Sequence, residues 1–215
     1  GLEVGQSYRF QYHIMPDDIR VADAYAEIQL DKWNDPWIPE STYPDMIPYP
    51  EEFTSSDPVS VFVTGEDEYV WTDMSFDRPH QENLVIYEIL VRDFSEQRTY
   101  KMIEDSLDYI ENLGVSAIEL MPVMEFNGND SWGYNTTFYF APDKAYGTRD
   151  DLKSLVDACH ERGIAVILDL VFNHSDQPNP FITMYWDDWV VSPTNPWFNV
   201  EAPHSMNWFY DWNHN

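Results

Sequence analysis

Residues 163–176 read GIAVILDLVFNHSD, and from 164 to 172 only Asp169 interrupts an apolar run. A segment of that length, rich in β-branched residues and apolar on both faces, suits a strand in a parallel sheet covered by helices on each side. An unpaired carboxylate in such a strand costs several kcal/mol. Asp169 therefore has either a partner or a task.

The residues before it keep the same grammar. LVIYEILV (84–91) and VSAIELMPV (115–123) read as two further strands. TYKMIEDSLDYIENLG predicts a helix with Ile103, Leu107 and Ile110 on one face and Gly114 as its stop. TRDDLKSLVDACHERG predicts a second helix, opened by a Thr148-x-x-Asp151 capping pattern and closed by Gly163. Strands alternating with helices of this length imply a parallel α/β sheet, open or closed into a barrel. Residues 1–78 have a different texture. SYRFQYHI alternates Tyr8, Phe10, Tyr12 and Ile14 with polar neighbours, and VSVFV sets Val59, Val61 and Val63 on one face. Pro36, Pro39, Pro44, Pro48, Pro50 and Pro58 leave a long irregular connection between them. The reading is a small β-sandwich over 1–78, followed by an α/β region over 79–215.

Charge excludes some partners. Lys and Arg total 11 against 39 Asp and Glu, a net charge of −28. Nucleic acid and anionic membrane both repel such a surface, whereas solubility, in salty surroundings above all, benefits from it. The single Cys159 rules out an internal disulfide, and its helical spacing with Leu152, Leu155 and Val156 marks a buried structural thiol. No stretch approaches the ~18 apolar residues of a membrane span. The chain opens on Gly1, so either a leader has been removed or a longer protein has been cut. The compartment stays open, with a secreted or periplasmic one ahead of the cytoplasm.

In parallel α/β folds the chemistry gathers at the C-terminal ends of the strands. Alternation puts Asp169, Val171 and Asn173 on one face, with Asn173 near the exit and His174 where the loop begins. One rim thus receives an acid, an amide and an imidazole. Spacing alone leaves two readings: a functional cluster, or an Asp that locks a barrel beside ordinary turn residues.

DLVFNH resembles the first conserved motif of the α-amylase family of glycoside hydrolases, Asp-x-x-x-Asn-His on the third barrel strand. LVIYEILVRDFS resembles that family's first strand and VSAIELMPV its second. WGYNTTFYFAPDKAYGTRDDLKSLVDACHERGIAVILDLVFNHS resembles its run into the third. The similarity covers roughly residues 83–176 and is weaker in WFNVEAP and FYDWNHN. It implies a partial (β/α)8 TIM barrel, with three strands and the start of the loop subdomain after the third. An all-β immunoglobulin-like domain precedes it. It also implies roles. His174 hydrogen-bonds the sugar where cleavage occurs, and Tyr134 forms the stacking floor of that subsite, with Trp132 beside it either stacking or packed. Asn173 ligates a structural calcium. Asp169 supports the site from below, near an arginine on the next conserved strand.

Other residues keep plainer readings. Glu119 and Glu125 lie in or just after the second strand and are taken as structural or rim residues. Trp186, Trp189, Trp197, Trp208 and Trp212 crowd the region after Asp176, either exposed to stack on glucose or packed as a loop core. Asp187, Asp188 and Asp211 are further calcium candidates. Retaining hydrolysis needs two carboxyl groups about 5 Å apart. In the family these follow the fourth and fifth strands, in segments this sequence does not contain. The nucleophile and the acid/base are therefore expected downstream of Asn215, with no catalytic carboxylate within the chain. The expectation is the N-terminal portion of an α-glucan hydrolase, inactive alone, with a barrel edge left unpaired. A glucan branching enzyme or other transglycosylase, and a non-catalytic carbohydrate-binding fragment, are the alternatives.

Overall fold

The computed structural model describes residues 1–52, 57–72, 75–187, 190–203 and 210–213. Asp188, Trp189 and Trp208 lie outside the described residues, and so does Asn215, beyond which the catalytic carboxylates are expected. Short strands open the chain: β1 (Ser7–Phe10), β2 (Tyr12–Ile14), β3 (Ile19–Val21), β4 (Ile28–Leu30) and β5 (Val59–Val63). They form an antiparallel sheet in the order β1-β5-β4 and a separate β2-β3 hairpin. Where the alternation predicts a sandwich, the described residues show one three-stranded sheet beside one hairpin. The sheet's core is small: Leu30, Val59 and Val61, with Ile28, Ile47 and Tyr49 against them.

From Ile86 the architecture is parallel. β6 (Ile86–Ile89) leads through α1 (Val91–Phe94), α2 (Tyr100–Glu104) and α3 (Leu107–Asn112) to β7 (Ala117–Leu120). A hairpin of β8 (Met124–Phe126) and β9 (Thr136–Pro142) follows, then α4 (Arg149–Glu161) and β10 (Ala165–Leu168). The three parallel strands lie in the order β6-β7-β10. Their register aligns Ile86, Ala117 and Ala165 at one end and Ile89, Leu120 and Leu168 at the other.

The helix predicted over 99–114 is divided. Ser106 takes φ −100°, ψ 5°, and its hydroxyl donates to the Met102 carbonyl at 2.7 Å, a local bond that competes with the helical ladder. Its apolar face survives the break, since Ile103, Leu107 and Ile110 are fully buried with Ile118, Leu120 and Leu155. Each such side chain contributes about 1.5–3 kcal/mol by leaving water. Gly114 ends α3 at φ +75°, and the Thr148–Asp151 capping box opens α4. Cys159 is buried under α4, and burial pushes its thiol up to about 12.

The third strand is shorter than its apolar run. β10 ends at Leu168 because β7 ends at Leu120, and one more bond, Asp169 N–H to the Leu120 carbonyl at 2.9 Å, closes the ladder. Among the described residues β10 pairs only with β7, so its far edge is open. Leu168, Leu170 and Phe172 are accordingly 43%, 39% and 62% exposed, rather than covered on both sides.

Beyond the sheet come β11 (His174–Ser175), α5 (Pro180–Thr183), β12 (Trp186–Asp187), β13 (Val190–Val191) and β14 (Tyr210–Asp211). Ile182, Val191 and Phe198 are buried there, with Trp186, Trp197 and Trp212 packed around them. These three tryptophans form a loop core.

Candidate active site

The site begins where β7 delivers the chain to Pro122 and the β8–β9 hairpin folds back over the rim. Residues 127–135 form its turn. Gly133 has φ +90°, and a Cβ there would collide with the Pro122 carbonyl oxygen, so only glycine permits this approach. The turn is braced internally. Gly133 N–H donates to Ser131 Oγ at 3.0 Å, Asn135 Nδ2 to the Asn127 carbonyl at 2.8 Å, and Thr136 Oγ1 to the Gly133 carbonyl at 3.2 Å. Arg92, just past β6, holds Asp130 at 3.1 Å while also gripping Asp93.

That geometry aims Tyr134 at the end of the third strand. Its hydroxyl donates to Asp169 Oδ2 at 2.6 Å. The bond to the carboxylate, then burial and the nearby charges of Asp169, Glu88 and Glu119, push the phenol up to about 12. Tyr134 is therefore a neutral donor at ordinary pH. Glu88 and Glu119 are register partners on adjacent strands and share a row with Ile167, so the carboxylates fall on the face that also carries Asp169.

His174 completes the group. Its Nε2 lies 2.7 Å from the Tyr134 backbone carbonyl, an oxygen that can only accept, so Nε2 carries the proton. Its own carbonyl accepts from Tyr139 Oη at 2.7 Å, and Trp212 Nε1 donates to Tyr139 Oη at 2.8 Å. Tyr134 from one segment, and Asp169 and His174 from another, are thus hydrogen-bonded together at one rim. Trp132, two residues before Tyr134, is 60% exposed and offers a ring to solvent.

The partner of Asp169 in this chain is Tyr134. The resemblance implies an arginine nearby on a later strand, and within this chain a tyrosine from the neighbouring strand's loop holds the carboxylate. The sequence signal for it was adjacency, because loops after neighbouring parallel strands open onto the same rim. Gly133, Arg92, Asp130 and Glu88 were not singled out, and only Gly133 carried a signal, as a lone glycine between two aromatics. Glu125 is 8% exposed and is taken up by Lys144, the structural alternative for that residue.

Asn173 is exposed, and its backbone carbonyl accepts Trp212 N–H at 3.1 Å. The bridge between His174 and Asp211 brings one acid to this end of the strand. Among the described residues no three His, Cys, Asp or Glu gather as a metal site. Calcium takes six to eight oxygens, amide and backbone carbonyl ones included, and Asn173 offers an oxygen of that kind at this end of the strand.

Comparison with known proteins bears on the fold and the family. A malto-oligosyltrehalose trehalohydrolase from Saccharolobus solfataricus is 34% identical over 164 residues, 76% of this chain and 27% of its own. The alpha-amylase MalA of Haloarcula japonica is 37% identical over 139 residues, 62% of this chain and 20% of its own. The crystal structure of a putative alpha amylase from Salmonella typhimurium superposes with a TM-score of 0.70 at 27% identity, over 99% of this chain and 30% of that one. The chain spans about a quarter of the length of the curated relatives it matches. Residues 48–214 match the family model described as alpha amylase, catalytic domain, and the chain belongs to the alpha-amylase family.

Proposed function

We propose that this chain forms the substrate-positioning part of an α-glucan hydrolase that retains configuration at the cleaved carbon. The observation that carries the reading is the hydrogen-bonded group of Tyr134, Asp169 and His174 at the C-terminal rim of adjacent parallel strands. In this role the Tyr134 ring stacks on the sugar at the cleavage point. Its hydroxyl is tied back by Asp169, which fixes the ring plane. His174 gives up its bond to the Tyr134 carbonyl, or shares it, to donate to a sugar hydroxyl. That bond strengthens as the ring flattens toward the oxocarbenium-like transition state. Trp132 extends the stacking surface. The nucleophile and the acid/base come from carboxylates downstream of Asn215, outside this chain.

The β-rich region 1–78 is an immunoglobulin-like accessory domain in this reading, and 79–215 is the first part of the (β/α)8 catalytic domain. A structural calcium at Asn173 belongs to the same proposal. No chemical step runs through it, and a full-length enzyme whose melting temperature ignores a chelator removes it.

The decisive experiment assays the full-length enzyme and the 215-residue chain on soluble α-glucan. His174→Ala is expected to lower kcat about 100-fold with a smaller change in KM, and the shorter chain is expected to release no reducing sugar. An unchanged kcat in a folded His174→Ala enzyme overturns the role of His174. Reducing sugar released by the shorter chain overturns the placing of the catalytic pair beyond Asn215. Products that gain α-1,6 branches instead of reducing ends assign the transglycosylase alternative.

A further inference from the structure

Two consecutive residues of the N-terminal region reach across to the hairpin that carries Tyr134. Asn34 presents its backbone carbonyl to Asn129 Nδ2 at 2.7 Å, in the turn itself. Asp35 places Oδ1 3.3 Å from Lys144 Nζ, and Lys144 in turn binds Glu125 at the base of the hairpin. Lys144, Glu125 and Asp35 are 3%, 8% and 9% exposed, so the bridge is shut off from water. The base is shaped for it, because the β8–β9 register shifts on both sides of Glu125, and such bulges re-aim a side chain. Asp143 lies against the same lysine, with Oδ2 accepting Phe126 N–H at 3.1 Å and Oδ1 accepting Ala145 N–H at 2.9 Å. Asp35 is itself held, its Oδ2 accepting Asp31 N–H at 2.8 Å.

We propose that Asp35 and Asn34 form a two-point clamp on the β8–β9 hairpin, and that Asp35 is a positioning residue for the Trp132–Gly133–Tyr134 turn. A buried ion set is a weak source of stability, since an apolar replacement of similar shape often serves as well. Its strength is direction: Lys144 is fixed between a carboxylate of each region, so the hairpin has one seat on the N-terminal layer. The turn then meets Asp169 and His174 at hydrogen-bonding distance without having to be ordered by the sugar. The N-terminal region thereby acts on substrate binding from outside the cleft. The inference rests on the sugar-binding role proposed for Tyr134.

The test uses the full-length enzyme on maltoheptaose, with KM, kcat and melting temperature read for Asp35→Asn, Asn129→Ala, Tyr134→Ala and Arg149→Gln. Arg149 joins the two regions through Glu27 and Glu66 without touching the hairpin turn. Asp35→Asn and Asn129→Ala are each expected to raise KM about 3- to 10-fold with kcat less affected, the scale of one or two lost hydrogen bonds. Adding either change to Tyr134→Ala is expected to raise KM no further. Arg149→Gln lowers the melting temperature and leaves KM alone. Should Asp35→Asn fail to fold, Asn129→Ala carries the test, because its side chain sits at the half-buried turn. KM values within about twofold of the parent, beside a raised KM in Tyr134→Ala, overturn the clamp alone. An unchanged KM in Tyr134→Ala overturns the sugar-binding role first and the clamp with it.

Discussion

The two halves of this chain are ordered by different means. The α/β region buries a continuous apolar cluster in which Tyr100, Ile103, Leu107, Ile118, Leu120 and Leu155 have no exposed surface. The N-terminal layer rests on Leu30, Val59 and Val61, and its strands are three to five residues long. What the smaller region lacks in core it makes up in polar ties to its neighbour. Arg149 binds Glu27 and Glu66, and Thr72 donates to Asp157 through both N–H and Oγ1 at 2.8 Å. Phe76 stacks on His160 at 4.0 Å with 4° between the planes, and Ala22 packs with Phe138 and Ala141. A region held this way is a layer on its neighbour rather than a bead on a string.

Cavities in the two cores measure that contrast most strongly. Leu155→Ala, in the large cluster, is expected to cost about 3–5 kcal/mol, and Leu30→Ala nearer ~2 kcal/mol because a small cluster collapses around the gap. Equilibrium denaturation reads both, and equal costs would show that the layers share one cooperative core. Next in size is the hairpin turn that the N-terminal layer meets through Asn34. Gly133→Ala is expected to destabilise by more than about 1 kcal/mol, through a strained φ and a clash with Pro122, and to raise KM as Tyr134 moves. A wild-type KM in a stable Gly133→Ala enzyme would place Tyr134 outside the substrate path.

The smallest effect is electrostatic. Burial, against the pull of Lys144, raises Glu125 to about 7, above the 4.5 of an unfolded chain. Asp143 and Asp35, on the same lysine, are also raised, both chiefly by burial. A carboxyl raised on folding holds its proton more tightly in the native state. Its contribution is full below about 4.5 and is lost as pH rises through about 7. Melting temperature should therefore fall across that window, by a degree or several, and Glu125→Gln should flatten the fall. An identical slope in Glu125→Gln would move the effect to other acids.

Legibility followed the same division. Period and punctuation found the parallel strands, the capping box and the glycine stops, because each is written within a few neighbouring residues. They missed the break at Ser106, where a hydroxyl competes with the backbone, and the early end of β10, which depends on where β7 stops. In the site, the motifs named Tyr134, Asp169 and His174 but not the bonds among them. Asp169 and Tyr134 are 35 residues apart, and Asn34 and Asn129 are 95 apart. No periodicity spans such distances. The N-terminal layer was the least legible part for that reason, since its order comes mainly from partners far along the chain.

Cations are scarce in a chain with 11 of them against 39 acids, and two serve as rivets between the halves. The rivets differ in their exposure to ions. Arg149 reaches Glu27, whose side chain is 61% exposed, whereas Lys144 is 3% exposed. At about 0.15 M salt the screening length is near ~8 Å, which weakens the outer rivet and leaves the inner one almost untouched. The same ions quiet the mutual repulsion of the acidic surface. Brine should therefore tighten the body as a whole while letting one margin of the N-terminal layer breathe, pivoting on Lys144.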